Sequence, residues 1–246
     1  MKRTVAVIVM GVVAFAAIVL ARLPASWVLP TAGANFSCTG VEGSIWSGYC
    51  SGLVVRGVGM GDLTWQLRPA RLLLGKLAAR IDLQHPPTTS LLADVEVGFG
   101  DTVVARNVTA SLPLDPTLLP GAPQAVTGTL HVNLTLARVT KQGVVRDLKG
   151  RIEARNIVDS SGDVTPLGSF AVTFPGGASE PTGAVQDLGG PLAVQGKLVL
   201  TPQPGYDLSG YVTPRPSAVP ALVNAIEFLG TPDDQGRREF ALSGTY

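Results

Sequence analysis

The sequence predicts a mainly β fold, one large antiparallel sheet system behind an N-terminal membrane helix, and three features carry that expectation. Apolar and polar residues alternate with period two from Leu53 to the C-terminus. Glycine (29) and proline (19) are frequent and punctuate the alternation at turn positions. One unbroken apolar run, Val5 to Ala21, follows the basic start Met1-Lys2-Arg3-Thr4 and stops at Arg22.

That run is about 25 Å long as a helix, short for a membrane span and long for the core of a cleaved signal. Small residues offer cut sites after Ala25 and after Ala34. Leu23 and Pro24 disfavour the first, and the second lies far beyond the apolar core. The expectation is therefore an uncleaved inner-membrane anchor over 5–23. Lys2 and Arg3 hold residues 1–4 in the cytoplasm against the lone Arg22, and 24–246 form a periplasmic β domain.

Within that body each strand shows one apolar face. Leu63, Trp65 and Leu67 oppose Thr64, Gln66 and Arg68; Leu77, Ala79, Ile81 and Leu83 oppose Arg80, Asp82 and Gln84. Next come Ala93-Val95-Val97-Phe99 and Leu130-Val132-Leu134-Leu136, then Ile152-Ala154 and Phe170-Val172-Phe174. Leu192-Val194-Leu198-Leu200, Leu208-Val212 and Phe240-Leu242 complete about ten half-buried strands. Arg68 to Gly75 reads as one helical turn, with Pro69 at its start and Gly75 at its stop. Ser217 to Gly230 reads as an amphipathic helix capped by Ser217, with Leu222, Ala225, Ile226 and Leu229 on one stripe. Pro175 to Gly190 reads as a long loop or a seam between half-sheets. A sandwich, a barrel and a curved open trough all share this pattern, so periodicity does not choose among them.

Composition excludes several function classes. The net charge is +1 and no basic cluster occurs, which gives no electrostatic basis for nucleic-acid binding. Gly-x-Ser-x-Gly is absent. His85 precedes Pro86-Pro87 in a turn, and His131 falls on the polar face of a strand. Gly57-x-Gly59-x-Gly61 leads into a strand where a phosphate loop would lead into a helix. Asp233-Asp234-Gln235-Gly236 lacks the spaced ligands of a calcium loop. No catalytic residue, metal site or cofactor site is expected.

Three aromatic residues, Trp46, Trp65 and Tyr206, are candidate structural or partner anchors. Cys38 and Cys50 are a disulfide candidate in an oxidising compartment, worth about 3 kcal/mol if unstrained; free thiols and a metal site are the alternatives.

Several segments together resemble a known family. Leu23-Pro24-Ala25-Ser26-Trp27-Val28, Val41-Glu42-Gly43-Ser44-Ile45-Trp46-Ser47-Gly48 and Leu63-Thr64-Trp65-Gln66-Leu67-Arg68-Pro69 with Leu73 to Leu77 are similar to the N-protein family of the bacterial type II secretion system. So are Gly190-Pro191-Leu192, Gly196-Lys197-Leu198, Gly205 to Gly210, Pro214-Arg215, Leu229 to Asp233, Gly236-Arg237 and Gly244, in the same order. The Cys38/Cys50 pair departs from that pattern.

The resemblance implies a single-pass inner-membrane protein, an accessory and non-enzymatic part of a machine that exports folded proteins from the periplasm. Its implied partners are the outer-membrane secretin or the inner-membrane platform proteins. The sheet pattern also resembles periplasmic AsmA/TamB-like proteins, whose curved troughs carry lipid. That likeness implies a trough-like sheet and, as the alternative function, a carrier of lipid or another apolar ligand.

Overall fold

The computed structural model describes residues 10–12, 15, 19, 22–27, 36–55, 57–85, 89–114, 125–178 and 180–245. They form a single fourteen-stranded antiparallel sheet. Its strands are β1 (Phe36–Ser37), β2 (Gly40–Gly43), β3 (Ser47–Val55), β4 (Val58–Leu67), β5 (Leu77–His85), β6 (Thr89–Val97) and β7 (Thr102–Pro113). There follow β8 (Val126–Thr140), β9 (Val145–Asp159), β10 (Thr165–Pro175), β11 (Thr182–Asp187), β12 (Leu192–Leu200), β13 (Tyr206–Pro214) and β14 (Arg238–Gly244). Every strand from β3 onward pairs with its neighbours in chain order, and β1 and β2 both pair with β3. Among the described residues β14 pairs only with β13, so the sheet is an open meander and neither a closed barrel nor a two-sheet sandwich.

The expected alternation holds in most strands and sets the register. Leu63, Trp65 and Leu67 stand opposite Leu83, Ile81 and Ala79, which in turn stand opposite Leu91, Ala93 and Val95. Apolar residues therefore line one face continuously, as cross-strand pairs require.

In the long central strands β-bulges interrupt the period. β7 gains a residue at Asn107, whose φ is 51°, and a second irregularity falls between Leu134 and Leu136 of β8. An extra residue reverses which side chains face the core. Ala137 is buried in consequence, while Leu136, expected on the apolar face, pairs with Arg106 on the polar one. The same effect hid β7 from sequence reading. Val103 and Ala105 are out of phase with Val108 and Ala110 across Asn107, so no unbroken alternation marks that strand.

Other expectations are corrected too. Strand β11 lies inside the stretch read as a loop or seam. Gly183 faces inward there, and the Phe174 ring occupies the space its side chain would take (2.9 Å from an ideal Cβ), so only Val185 marks the apolar face in sequence. Phe99 lies beyond the end of β6 and is exposed. The C-terminal helix spans Pro220–Glu227, with Val219 at its N-cap and no side-chain cap, so Ser217 does not cap it. Only Leu222 and Ile226 of its expected stripe are buried; Ala225 and Leu229 are exposed. The turn after Arg68 is helical over Pro69–Leu72, as expected.

The anchor expected over 5–23 falls largely outside the described residues. Met10, Gly11, Val12, Phe15 and Val19 are helical, and the large ones among them are exposed. Among the described residues no helix is long and apolar enough to cross a membrane.

Two buried clusters sit on the apolar face. The central one joins Leu134, Ala137, Leu148 and Phe174, with Leu198 and Leu200 reaching over from β12. The C-terminal one joins Val194 and Val212 to Leu222 and Ile226 of the helix, which covers that end of the sheet.

Candidate functional site

The N-terminal end of the apolar face has no such cover among the described residues. Ala25, Ile45, Leu63, Trp65, Leu67, Ala79 and Ile81 line an open cavity of about 280 Å³ there. Its rim is a tight turn between β2 and β3. The Ser44 hydroxyl accepts from the amides of Trp46 and Ser47, both at 3.3 Å. The turn then receives the chain arriving from the N-terminus, with the Ile45 amide donating to the Leu23 carbonyl (3.0 Å) and Pro24 bridging Ser44.

The sequence-predicted anchors cluster only in part. Trp65 and Trp46 both belong to this rim. The Trp65 indole N–H donates to the Ile45 carbonyl at 3.2 Å, and its ring lies over Gly48. Trp46 is half-buried, and its carbonyl accepts from the Leu67 amide at 2.6 Å. Tyr206 is far along the sheet, half-buried against Gly244 where β13 meets β14. Cys38 and Cys50 form a disulfide with an S–S distance of 2.06 Å, linking the segment between β1 and β2 to β3. Cys50 is fully buried.

The opposite, polar face carries ion pairs. Glu96 takes Lys76 at 2.8 Å, with Arg106 and Arg71 farther out, and Asp94 takes Arg68 at 2.7 Å. The hydrogen bond from Lys76 holds the Glu96 carboxyl below the usual carboxylate range. Arg151 and Arg155 do the same for Glu153, which they flank at 2.6 Å each.

Register also sets Ser111, His131 and Glu153 side by side across β7, β8 and β9, along an open concavity of about 700 Å³. These residue types can perform acyl transfer when hydrogen-bonded in sequence. Here both Glu153 oxygens are committed to arginines, and no hydrogen bond joins the three. Charge pairing along a strand face accounts for the cluster. His85 stands apart at the end of β5. Among the described residues no group of His, Cys, Asp or Glu side chains could hold a metal ion.

A partly buried clasp holds the turn between β11 and β12. Arg215 donates to Asp187 at 2.7 Å and to the carbonyls of Gly190 and Leu192. Burial raises the Asp187 carboxyl, but hydrogen bonds from Arg215 and from the Val194 and Gly189 amides outweigh it, leaving the pKa below its ordinary value.

One surface escaped sequence reading. Leu72, Leu73, Leu74 and Leu77 are exposed around the Pro69–Leu72 turn, beside exposed Phe99. The signal was present as three consecutive leucines in a turn, where polar residues are the rule.

Comparisons with known proteins bear on what these surfaces serve. A family model described as "Type II secretion system (T2SS), protein N" matches residues 34–241. A protein of Aeromonas hydrophila named "Type II secretion system protein N" is 26% identical over 250 residues, covering 96% of each chain. One of the same name from Vibrio cholerae serotype O1 is 39% identical over 62 residues, 25% of each chain. No solved structure matches.

Proposed function

The chain belongs to the type II secretion system protein N family, and from that premise we propose that it is an accessory, non-enzymatic subunit of the machinery that exports folded proteins across the outer membrane. Residues 5–23 anchor it in the inner membrane, residues 1–4 face the cytoplasm, and 24–246 form one periplasmic domain. The Cys38–Cys50 disulfide suits that oxidising compartment. The observation that carries the reading is the open meander itself. It ends in β14, a seven-residue strand with one edge unpaired among the described residues, and such an edge accepts a strand from another protein. The partners on this reading are the secretin or the inner-membrane platform proteins, with Trp46, Trp65 and Tyr206 as structural or docking anchors.

Deleting the gene and measuring exoproteins tests this. Retention of folded exoproteins in the periplasm, reversed by the full chain, is the expected result. Unchanged secretion would overturn it.

A second reading rests on one observation, the open apolar cavity over β4 and β5. On that reading the sheet is a curved trough that carries lipid or another apolar ligand, as in AsmA/TamB-like proteins. Acyl chains extracted from the purified full chain in near-stoichiometric amount would favour it.

A further inference from the structure

We propose that the turn Pro69–Gly75, together with Phe99, is a foot that inserts into the anionic surface of the membrane holding the N-terminal apolar run. The inference rests on the anchor reading above and adds a second membrane contact to it.

The exposure of this patch is unusual for a folded surface. Leu73 is 90% exposed, Leu74 69% and Phe99 94%, with the Phe99 ring set against Gly75. Large apolar side chains exposed together around one turn mark an interaction site.

Topology selects the occupant. Leu77 pairs with Val97, so the β4–β5 and β6–β7 turns lie at the same end of the sheet. The N-terminal segment enters at that end too. Leu23 accepts from Ile45, and Trp46, the next residue, accepts from Leu67, which leads straight into the leucine turn. Trp27, 78% exposed, stands at the same entry, as aromatic residues do at membrane interfaces. The run expected to cross the membrane is thus tied by two backbone hydrogen bonds to the turn with the exposed leucines.

Charge agrees. Arg68, Arg71, Lys76 and Arg106 gather around two carboxylates, Asp94 and Glu96, which leaves positive charge in excess next to the leucines. Apolar side chains flanked by Arg and Lys are the composition that binds anionic lipid headgroups. Asp101 and Lys141, in the neighbouring turns, carry opposite charges and do not alter the balance.

The test uses the full chain in vesicles of phosphatidylcholine with and without phosphatidylglycerol. Because Cys38 and Cys50 are paired, Leu73→Cys or Phe99→Cys supplies a single reactive thiol for an environment-sensitive dye. Val164→Cys, in the turn after β9 at the opposite end, is the control. Flotation first reports whether the chain is membrane-bound at all.

The expected result is a blue-shifted label at positions 73 and 99, quenched by lipid-borne nitroxides, with position 164 unaffected. Replacing Arg71 and Lys76 by Gln should reduce the inserted fraction in anionic vesicles by up to about fivefold per charge removed. A floating chain whose labels at 73 and 164 are equally wet would overturn the foot and leave the anchor standing. A chain that does not float overturns both. Equal insertion into neutral and anionic vesicles would overturn the role of the basic cluster.

Discussion

The two ends of this sheet treat the same kind of surface differently. Toward the C-terminus the apolar face is covered by a helix that sets Leu222 and Ile226 on Val194 and Val212. Toward the N-terminus the equivalent face, built from Leu63, Trp65, Ile81 and their neighbours, stays open among the described residues. What holds the N-terminal end is a covalent link, the Cys38–Cys50 disulfide, and the docking of Leu23 to Ala25 on the β2–β3 turn. Burial stabilises one end and cross-linking the other, which leaves apolar surface available where the chain comes closest to its proposed membrane anchor.

This contrast can be broken by substitution. Phe174→Ala, in the central cluster that Leu198 and Leu200 of β12 pack against, should cost about 3–5 kcal/mol in chemical denaturation, because a cavity remains in a buried cluster. Replacing both cysteines by serine should cost about 3 kcal/mol, with the added hydrogen exchange confined to β1–β3. A uniform rise in exchange across the sheet would contradict the local role of the link.

The sharpest internal comparison uses one residue type at both ends. Ile226→Ala, on the buried face of the helix, should cost about 2–3 kcal/mol, and Ile81→Ala, in the open cavity, about 1 kcal/mol or less. Equal losses would mean that the N-terminal cavity is filled in solution.

Much of this arrangement was legible in the sequence. Wherever alternation was unbroken, as in β4, β5 and β13, the apolar face and the strand were both readable. Where a bulge shifts the phase, as at Asn107, the strand disappeared from the pattern although its residues are ordinary strand formers. Gly183 concealed β11 in the same way, by supplying space in place of an apolar side chain. The disulfide was readable from the presence of two cysteines. The leucine turn was not, because its meaning depends on which end of the sheet it occupies, and register alone decides that.

The smallest expected effect is acid sensitivity at the C-terminal end. Asp187 has a lowered pKa in the fold, so its contribution is complete above the unfolded value of about 3.9 and is lost as pH falls through the folded value. The stability gap between the native chain and Asp187→Asn should therefore be present at neutral pH and close at strongly acidic pH. A gap unchanged across that range would remove the Arg215 clasp from the account.

The most direct test of the central claim, that this open sheet works within the secretion machinery, is in-cell photo-crosslinking from Glu239 and Ser243 on β14, read by mass spectrometry. The account predicts recovery of the secretin or an inner-membrane platform protein, joined through the unpaired edge. Recovery of acyl lipid alone, with no secretion component, would contradict it.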